Sequence, residues 1–409
     1  MRFLHTSDWH IGRLFQNISL LEDQQYVLSQ IKDYALAHNV DAIIVAGDIF
    51  DRSVPPAHAV DVLDRFLVDL QQHDIPVIMI SGNHDSAKRL RFGARQMRLA
   101  NLHILADLDH ATEPVIVKAK GASKDSEHCI AFYGLPYHDP VEVREAFAND
   151  IDDDGIGEKS IRTYDDAHTF MAEKILSEHK KHRPQMTSVL ISHCFIDGAS
   201  ESDSERPLAI GGADRVSWQP LTSFDYVALG HLHGPQFKGA EQIRYSGSPL
   251  KYSFSEYKQN KSVTLVEFAA NDASTANPSI TLLPLKARHN LRVIEGELSE
   301  LIENGKQDPN FDDYLLVRLT DKQSLLEPLA RLRKVYPNVL QLERKQFTQD
   351  YQAGNKADGN GENTGQKKDE LQIFSEFFSQ VTESELSASQ QQVLQDAINQ
   401  AKALTEGKE

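Results

Sequence analysis

The chain has 409 residues, with 43 Lys+Arg, 60 Asp+Glu, 17 His and 2 Cys, and is 40% hydrophobic and 25% charged. That profile excludes wholesale disorder and leaves room for two or three domains with full cores. Two cysteines, Cys129 and Cys194, exclude a disulfide framework and a thiolate zinc site, and a net charge of −17 excludes a uniformly basic surface but not a local basic track.

Short Val/Ile-rich runs that end in Gly or polar residues read as buried strands: Arg2–His5, Asp41–Ala46, Pro76–Ile80, Cys129–Tyr133, Ser188–Ile191 and Tyr226–Leu229. Amphipathic helices lie between some of them. Glu22–His38 repeats Tyr26, Ile31, Tyr34 and Ala35 on one stripe. Pro56–His73 opens on proline and carries Val60, Leu63, Phe66, Leu67 and Leu70. A third helix is expected over 161–182, then strands at Ser262–Phe268 and Ile280–Leu285 without helices between them. The fold class is α/β, with two strand sets as a β-sandwich flanked by helices. After residue 286 a small α+β unit is expected: strands at Leu291–Leu298, Tyr314–Thr320 and Val339–Phe347, and a helix over 321–335. Residues 352–369 are polar and Gly/Asn-rich, the composition of a flexible linker. Residues 370–404 are again helical, with stripes Leu371, Phe374, Phe377, Phe378, Val381 and Val393, Leu394, Ile398, Ala401, Leu404. No run approaches the ~18 apolar residues of a membrane span, and Met1–Asp8 is unlike a signal peptide, so a soluble cytoplasmic protein is expected.

Polar residues recur just after the strands. FLHTS is followed by Asp8-Trp9-His10, AIIVAG by Asp48, VIMISG by Asn83-His84-Asp85, SVLIS by His193, and YVALG by His231-Leu232-His233. In open α/β sheets the C-terminal strand ends are where ligands bind. Carboxylate, imidazole and amide oxygen suit divalent ions such as Mn²⁺, and imidazole also suits Zn²⁺ and Fe²⁺. Two such ions ~3.5–4 Å apart clamp a phosphoryl centre. Asp8, His10, Asp48, Asn83, His193, His231 and His233 suffice for two ions with open positions. Gly47, Gly82 and Gly230 let the chain turn sharply before each ligand. Asp-x-His alone says little, because Asp166-Ala167-His168 repeats it in a polar helical stretch and reads as a solvated face. Gly-Asn-His-Asp and Gly-His-x-His after strands are far more specific, and their joint order is more specific still.

Together SDWH, GDIFD, GNHD, His193 in SHCF and GHLHGP resemble the calcineurin-type metallophosphoesterase superfamily. More narrowly, HTSDWHIG, VDAIIVAGDIFD, GNHDS, the loop Gly198–Arg206, ALGHLH and RYSGSP are similar to the nuclease subunits of bacterial SbcCD-type complexes. The resemblance covers most of residues 1–285 and extends more loosely beyond them. It implies a four-layer α/β/β/α sandwich with a small α+β capping domain and C-terminal helices. The corresponding segments are a nuclease domain 1–285, a cap 286–348, a flexible linker 349–369 and a partner-binding segment 370–409. It implies two divalent ions, Mn²⁺ first among them. Asp8, His10, Asp48 and His233 would hold one, and Asp48, Asn83, His193 and His231 the other, with Asp48 bridging. His84 would stand over the scissile phosphate and Asp85 would orient its ring. Asp51 stands where archaeal and eukaryotic relatives carry His, which leaves its role open. The implied activity is double-strand exonuclease and single-strand or hairpin endonuclease action on DNA in repair, recombination and replication. The implied partners are DNA and an SbcC-like coiled-coil ATPase gripped by the C-terminal helices, with a homodimer inside a heterotetramer and no membrane. A phosphomonoesterase or cyclic-nucleotide phosphodiesterase is the alternative.

Other polar and aromatic residues have plainer readings. His5 is expected to pack in the core, and Trp9, between two candidate ligands, to be a lid or packing residue and not a base-stacking platform. The run Lys88, Arg89, Arg91, Arg95, Arg98 is either a solvated face or a phosphate contact. Asp150–Glu158 reads as an exposed acidic loop, since the spacing of a calcium loop is missing.

Overall fold

The computed structural model describes residues 1–120, 129–148, 161–205, 214–269, 277–321, 323, 325–345, 371, 374–375, 378–379 and 385–406. Two compact units divide the chain, Met1–Lys345 and Gln346–Glu409.

The first unit contains two six-stranded sheets. We number their strands β1 (Arg2–Thr6), β2 (Ala42–Ala46), β3 (Val77–Ile80), β4 (Leu102–Leu105), β5 (Val115–Lys118), β6 (Cys129–Leu135), β7 (Thr187–His193), β8 (Tyr226–Gly230), β9 (Gln236–Lys238), β10 (Ala240–Tyr245), β11 (Ser262–Glu267) and β12 (Ser279–Pro284). The first sheet has the order β12-β11-β1-β2-β3-β4 and the second β9-β10-β8-β7-β6-β5. In each, four adjacent strands run parallel: β1, β2, β3, β4 and β6, β7, β8, β10. Antiparallel strands finish the edges.

The unbroken apolar runs follow from burial on both faces. Phe3, Ile44, Ile78, Ile130, Phe132, Val189 and Tyr226 fill the layer between the sheets. Phe3 meets Phe132 edge-on at 5.2 Å across it. The alternate residues Leu4, Ile43, Val45 and Met79 face α1 (Leu21–Ala37) and α2 (Ala57–Gln71). Tyr133, Leu190 and Leu229 face α3 (Tyr164–His182). The result is helix, sheet, sheet, helix.

The helix faces correct two sequence readings. In α1 the buried stripe is Val27, Leu28, Ile31 and Ala35, while Tyr26 is 44% exposed. Ile31 lies five positions after Tyr26, so at ~100° per residue they point apart. In α2 the stripe is Ala59, Val62, Leu63, Phe66 and Leu70, and Val60 faces solvent. Asp166 and His168 are not a solvated face either. Thr163 and Asp166 form the reciprocal N-terminal cap of α3, and His168 is buried with Nε2 2.9 Å from Ser192 Oγ.

The small unit has its own sheet of three parallel strands, β13 (Leu291–Gly296), β14 (Tyr314–Leu319) and β15 (Val339–Arg344). Helices α4 (Leu298–Gly305) and α5 (Pro328–Leu332) connect them and share a core with Leu301, Leu315, Val317 and Leu332. Strands and helices thus alternate here. The helix expected over 321–335 is confined to α5. Pro328 opens it, where its missing N–H costs nothing, and Glu327 before it is left-handed, with φ +45°. At the junction to the sandwich, Asp23 of α1, 2% exposed, accepts from Tyr314 Oη at 3.0 Å and His289 N at 3.1 Å.

In the second unit, helix α6 (Ala388–Glu406) is described, with Val393 exposed, and Phe374 is 53% exposed. The expected linker, Phe377, Val381, Arg206 and the acidic loop at 150–158 lie outside the described residues, as do the side chains of Ala401 and Leu404. Among the described residues no helix is long and apolar enough to cross a membrane.

Candidate metal centre

The five loops that follow β1, β2, β3, β7 and β8 meet where the C-terminal ends of both parallel sets come together. Asp8 N donates to Gly47 O at 3.1 Å and His10 N to Asp48 O at 2.9 Å, so the first two loops are stitched along their backbones. Asp8, His10, Asp48 and His231 all have positive φ (53°, 46°, 50° and 104°). Such conformations cost of order 1–3 kcal/mol each and persist only where packing over-determines them. Of the three glycines, only Gly47 has positive φ, +87°. Gly82 and Gly230 are needed for room: a Cβ on Gly230 would sit 1.8 Å from Ala46 O.

All seven candidate ligands lie in one cluster. Asp8, His10, Asp48, His193, His231 and His233 are each at most 3% exposed. Donor atoms of Asp8, His10 and His233 fall within 4.8 Å of one another, as do those of Asp8, Asp48 and His193. Asp48 Oδ2 lies 3.7 Å from His10 Nε2 and 3.5 Å from His193 Nε2, between the two groups. Asn83 Oδ1 lies 2.9 Å from His193 Nε2 and 3.2 Å from His231 Nδ1.

Two features test whether this set fits divalent ions. Asp8 Oδ2 is buried without a hydrogen-bond partner, while Oδ1 accepts from His231 N at 2.9 Å. A buried carboxylate oxygen left unpaired is costly unless a cation meets it. His10 Nε2 also faces His233 Nε2 at 3.1 Å, and two imidazole nitrogens converge so closely around a proton or a cation. With carboxylates and an amide oxygen beside them, the donors fit hard-to-borderline divalent ions.

Electrostatics point the same way. Burial opposes charge on His193, but Asp48 and Asp8 outweigh it and lift its pKa to about 9. Burial pushes Asp8 up to about 6 against the neighbouring imidazoles. Burial alone would raise Asp48, yet His193 and His10 hold it well below the carboxylate range. Burial and His193 drive His231 down to about 3. The metal-free cluster thus shares protons among groups that must shed them to ligate.

His84 and Asp85 divide their work differently from expectation. His84 N donates to Asp48 Oδ1 at 2.8 Å, and its Nδ1 lies 2.9 Å from Asp51 O. The ring is therefore oriented by the Asp51 carbonyl and not by Asp85. Asp85 instead accepts from Ile49 N, Phe50 N and Gly82 N, each at 3.0 Å, and buckles the second and third loops together. Burial and the Asp48 charge push it up to about 7, against those three donors. The Asp51 carboxylate pairs with Arg13 at 3.2 Å. His84 shares a donor group with His10 and Asp48, but its Nδ1 is committed to Asp51.

His5 is a core residue as expected, and of the two roles open to Trp9 it takes packing, at 1% exposure. His5 bridges Tyr226 Oη and Leu229 O, and Trp9 meets Phe66 edge-on at 5.4 Å. The run Lys88–Arg98 is solvent-exposed, with Arg91 paired to Asp107 and Arg89 bonded to Ser53 O. Sequence reasoning missed Gln24, Ser204, Glu256 and Lys261. Gln24 Nε2 donates to His10 O at 2.7 Å, and the other three stand behind His233. Isolated polar residues in loops and on a helix carry no periodic signal.

The family described as calcineurin-like phosphoesterase matches residues 1–235. A relative in Staphylococcus epidermidis, named as the D component of the nuclease SbcCD, is 32% identical over 395 residues, covering 95% of this chain and 96% of the relative. The chain belongs to the SbcD branch of the calcineurin-like phosphoesterases. In this phosphoesterase, residues 287–382 also match a family described as type 5 capsule protein repressor C-terminal domain. That span begins just before β13 and runs into the second unit. A solved dimetal phosphatase from Danio rerio covers 68% of this chain and 98% of its own length, at 11% identity and a TM-score of 0.37.

Proposed function

We propose that this phosphoesterase is the nuclease subunit of an SbcCD-type complex and hydrolyses DNA phosphodiester bonds with two divalent ions, Mn²⁺ in the first place. One observation carries the reading: carboxylate, amide and imidazole donors from five strand ends converge in one cluster, which holds the unpaired, buried Asp8 Oδ2. Asp8, His10, Asp48 and His233 would hold one ion, and Asp48, Asn83, His193 and His231 the other. Bound there, the ions would supply Lewis acidity to the phosphoryl oxygens and acidify the attacking water. His84, 8% exposed, is the most accessible imidazole of the group. With Nδ1–H donated to the Asp51 carbonyl, Nε2 is the atom that exchanges a proton with the departing sugar oxygen.

The finer assignments rest on the same reading. The substrates are duplex ends and single-stranded or hairpin DNA met during repair, recombination and replication. The partner is a coiled-coil ATPase held by segment 370–409, and the cap 286–348 borders the DNA. The exposed Phe92 and Leu99 offer apolar surface of the kind a homodimer contact covers. The free thiols Cys129 and Cys194 fit a reducing cytoplasm.

The test incubates the pure protein and Mn²⁺ with linear duplex and, separately, with p-nitrophenyl phosphate esters, each with and without the ATPase. DNA degradation is the expected result. Robust monoester turnover with no DNA cleavage in either condition would replace the nuclease with a phosphomonoesterase.

A further inference from the structure

His233 is held from behind by a chain of buried polar groups. Its Nδ1 lies 2.6 Å from Ser204 Oγ, which lies 2.5 Å from Glu256 Oε1. Glu256 is fully buried, and its other oxygen pairs with the buried ammonium of Lys261. Lys261 also reaches His233 O at 2.8 Å and Ser248 Oγ at 2.9 Å. Glu205 Oε1 accepts the His233 backbone N–H at 2.7 Å, so the peptide is fixed as well as the ring.

Counting protons gives the chain a direction. Serine has one hydroxyl proton. Two oxygens 2.5 Å apart, one of them a carboxylate kept charged by its lysine, need a proton between them, so Ser204 donates to Glu256. Ser202 Oγ, 2.9 Å from Ser204 Oγ, has its own proton directed to Glu205 Oε2 at 2.6 Å. Ser204 is left with only lone pairs for His233. The imidazole must therefore carry its proton on Nδ1, and its Nε2 lone pair faces His10 and the ligand cluster. His193 has a simpler arrangement, with Nδ1 2.8 Å from the Ala46 carbonyl.

We propose that Ser204 is a positioning residue, whose hydroxyl transmits the charge of the Glu256–Lys261 pair to His233 and fixes the tautomer that turns Nε2 toward the cation site. The inference rests on the metal-centre reading for what Nε2 faces, but the relay is observable without metal.

The experiment uses full-length, metal-free protein labelled with ¹⁵N-histidine. Long-range proton–nitrogen correlation reads the His233 tautomer, and calorimetric titration reads Mn²⁺ affinity. Wild type is expected to show the Nδ1–H form. Ser204→Ala should lose that signature and bind Mn²⁺ about 10- to 100-fold more weakly. Ser204→Thr, which keeps the hydroxyl, should retain both. If Ser204→Ala does not fold, the wild-type spectrum still decides, because an Nε2–H tautomer there overturns the relay. So does a Ser204→Thr protein as impaired as Ser204→Ala. A wild type with the Nδ1–H signature that takes up no Mn²⁺ refutes the metal reading and upholds the relay.

Discussion

Asp48 is the side chain through which the two halves of the ligand cluster meet, since its Oδ2 lies between His10 and His193 and its Oδ1 holds His84 N. Asp48→Ala should therefore empty both ion positions, which Mn²⁺ stoichiometry by calorimetry checks. Normal DNA cleavage by that variant would mean the active site lies elsewhere. His84→Gln should differ in kind: it leaves the donors in place, so Mn²⁺ uptake should persist while kcat falls about 10²- to 10⁴-fold. If it also loses Mn²⁺, His84 is a ligand. A pH dependence follows from His193, whose pKa stands raised from 6.5 to about 9. In the metal-free protein its contribution to stability is fully present below about 6.5 and is lost as pH rises through 9. Mn²⁺ binding must expel that proton, so affinity should rise with pH up to about 9 and level off above it. Titrations in buffers of different ionisation enthalpy would show the released proton. The ligand types are legible in the sequence because each follows an apolar strand. The Asp51 carbonyl that orients His84 is not, since a backbone acceptor has no sequence signature.

At the scale of elements, two strands of different sheets approach so closely at β2 and β8 that Gly230 faces Ala46 O. Gly230→Ala should force the strand ends apart just where His231 leaves β8 and beside the His193 ring, whose Nδ1 would lie 3.0 Å from the added Cβ. Overpacking of this kind costs typically 1–3 kcal/mol, and here it also moves ligands. A lower Tm together with weaker Mn²⁺ binding is expected, and unchanged values of both would show that the ligand loops tolerate separation of the sheets. The strands themselves are easy to read, because burial on both faces makes them continuously apolar. Helices are harder. Tyr26 and Val60 resemble stripe members, but amphipathic surface helices carry stray apolar residues that only the register with Leu28 or Leu63 rejects. The cap of α3 is present as Thr163-x-x-Asp166, yet the overlapping Asp-x-His spacing masks it. Pro328 marks the true start of α5 for the same reason that prolines mark helix starts in general.

Across the whole molecule, the metal cluster and all of the described sheet cores belong to Met1–Lys345. The junction between sandwich and small unit pairs Asp23 with His289 and Tyr314, far along the chain, and such pairing leaves no periodic trace in a sequence. Nothing in the ligand set draws on Gln346–Glu409, while Phe374 and Val393 there are exposed and would be covered by a partner helix in a groove. A chain ending at residue 345 should therefore unfold cooperatively and bind Mn²⁺ as tightly as the full chain, by scanning calorimetry and titration. It should lose co-elution with the ATPase in size-exclusion chromatography. Full retention of the complex by the shortened chain would move the partner contact onto the sandwich or the small unit. Loss of Mn²⁺ binding would make the second unit part of the metal centre's support.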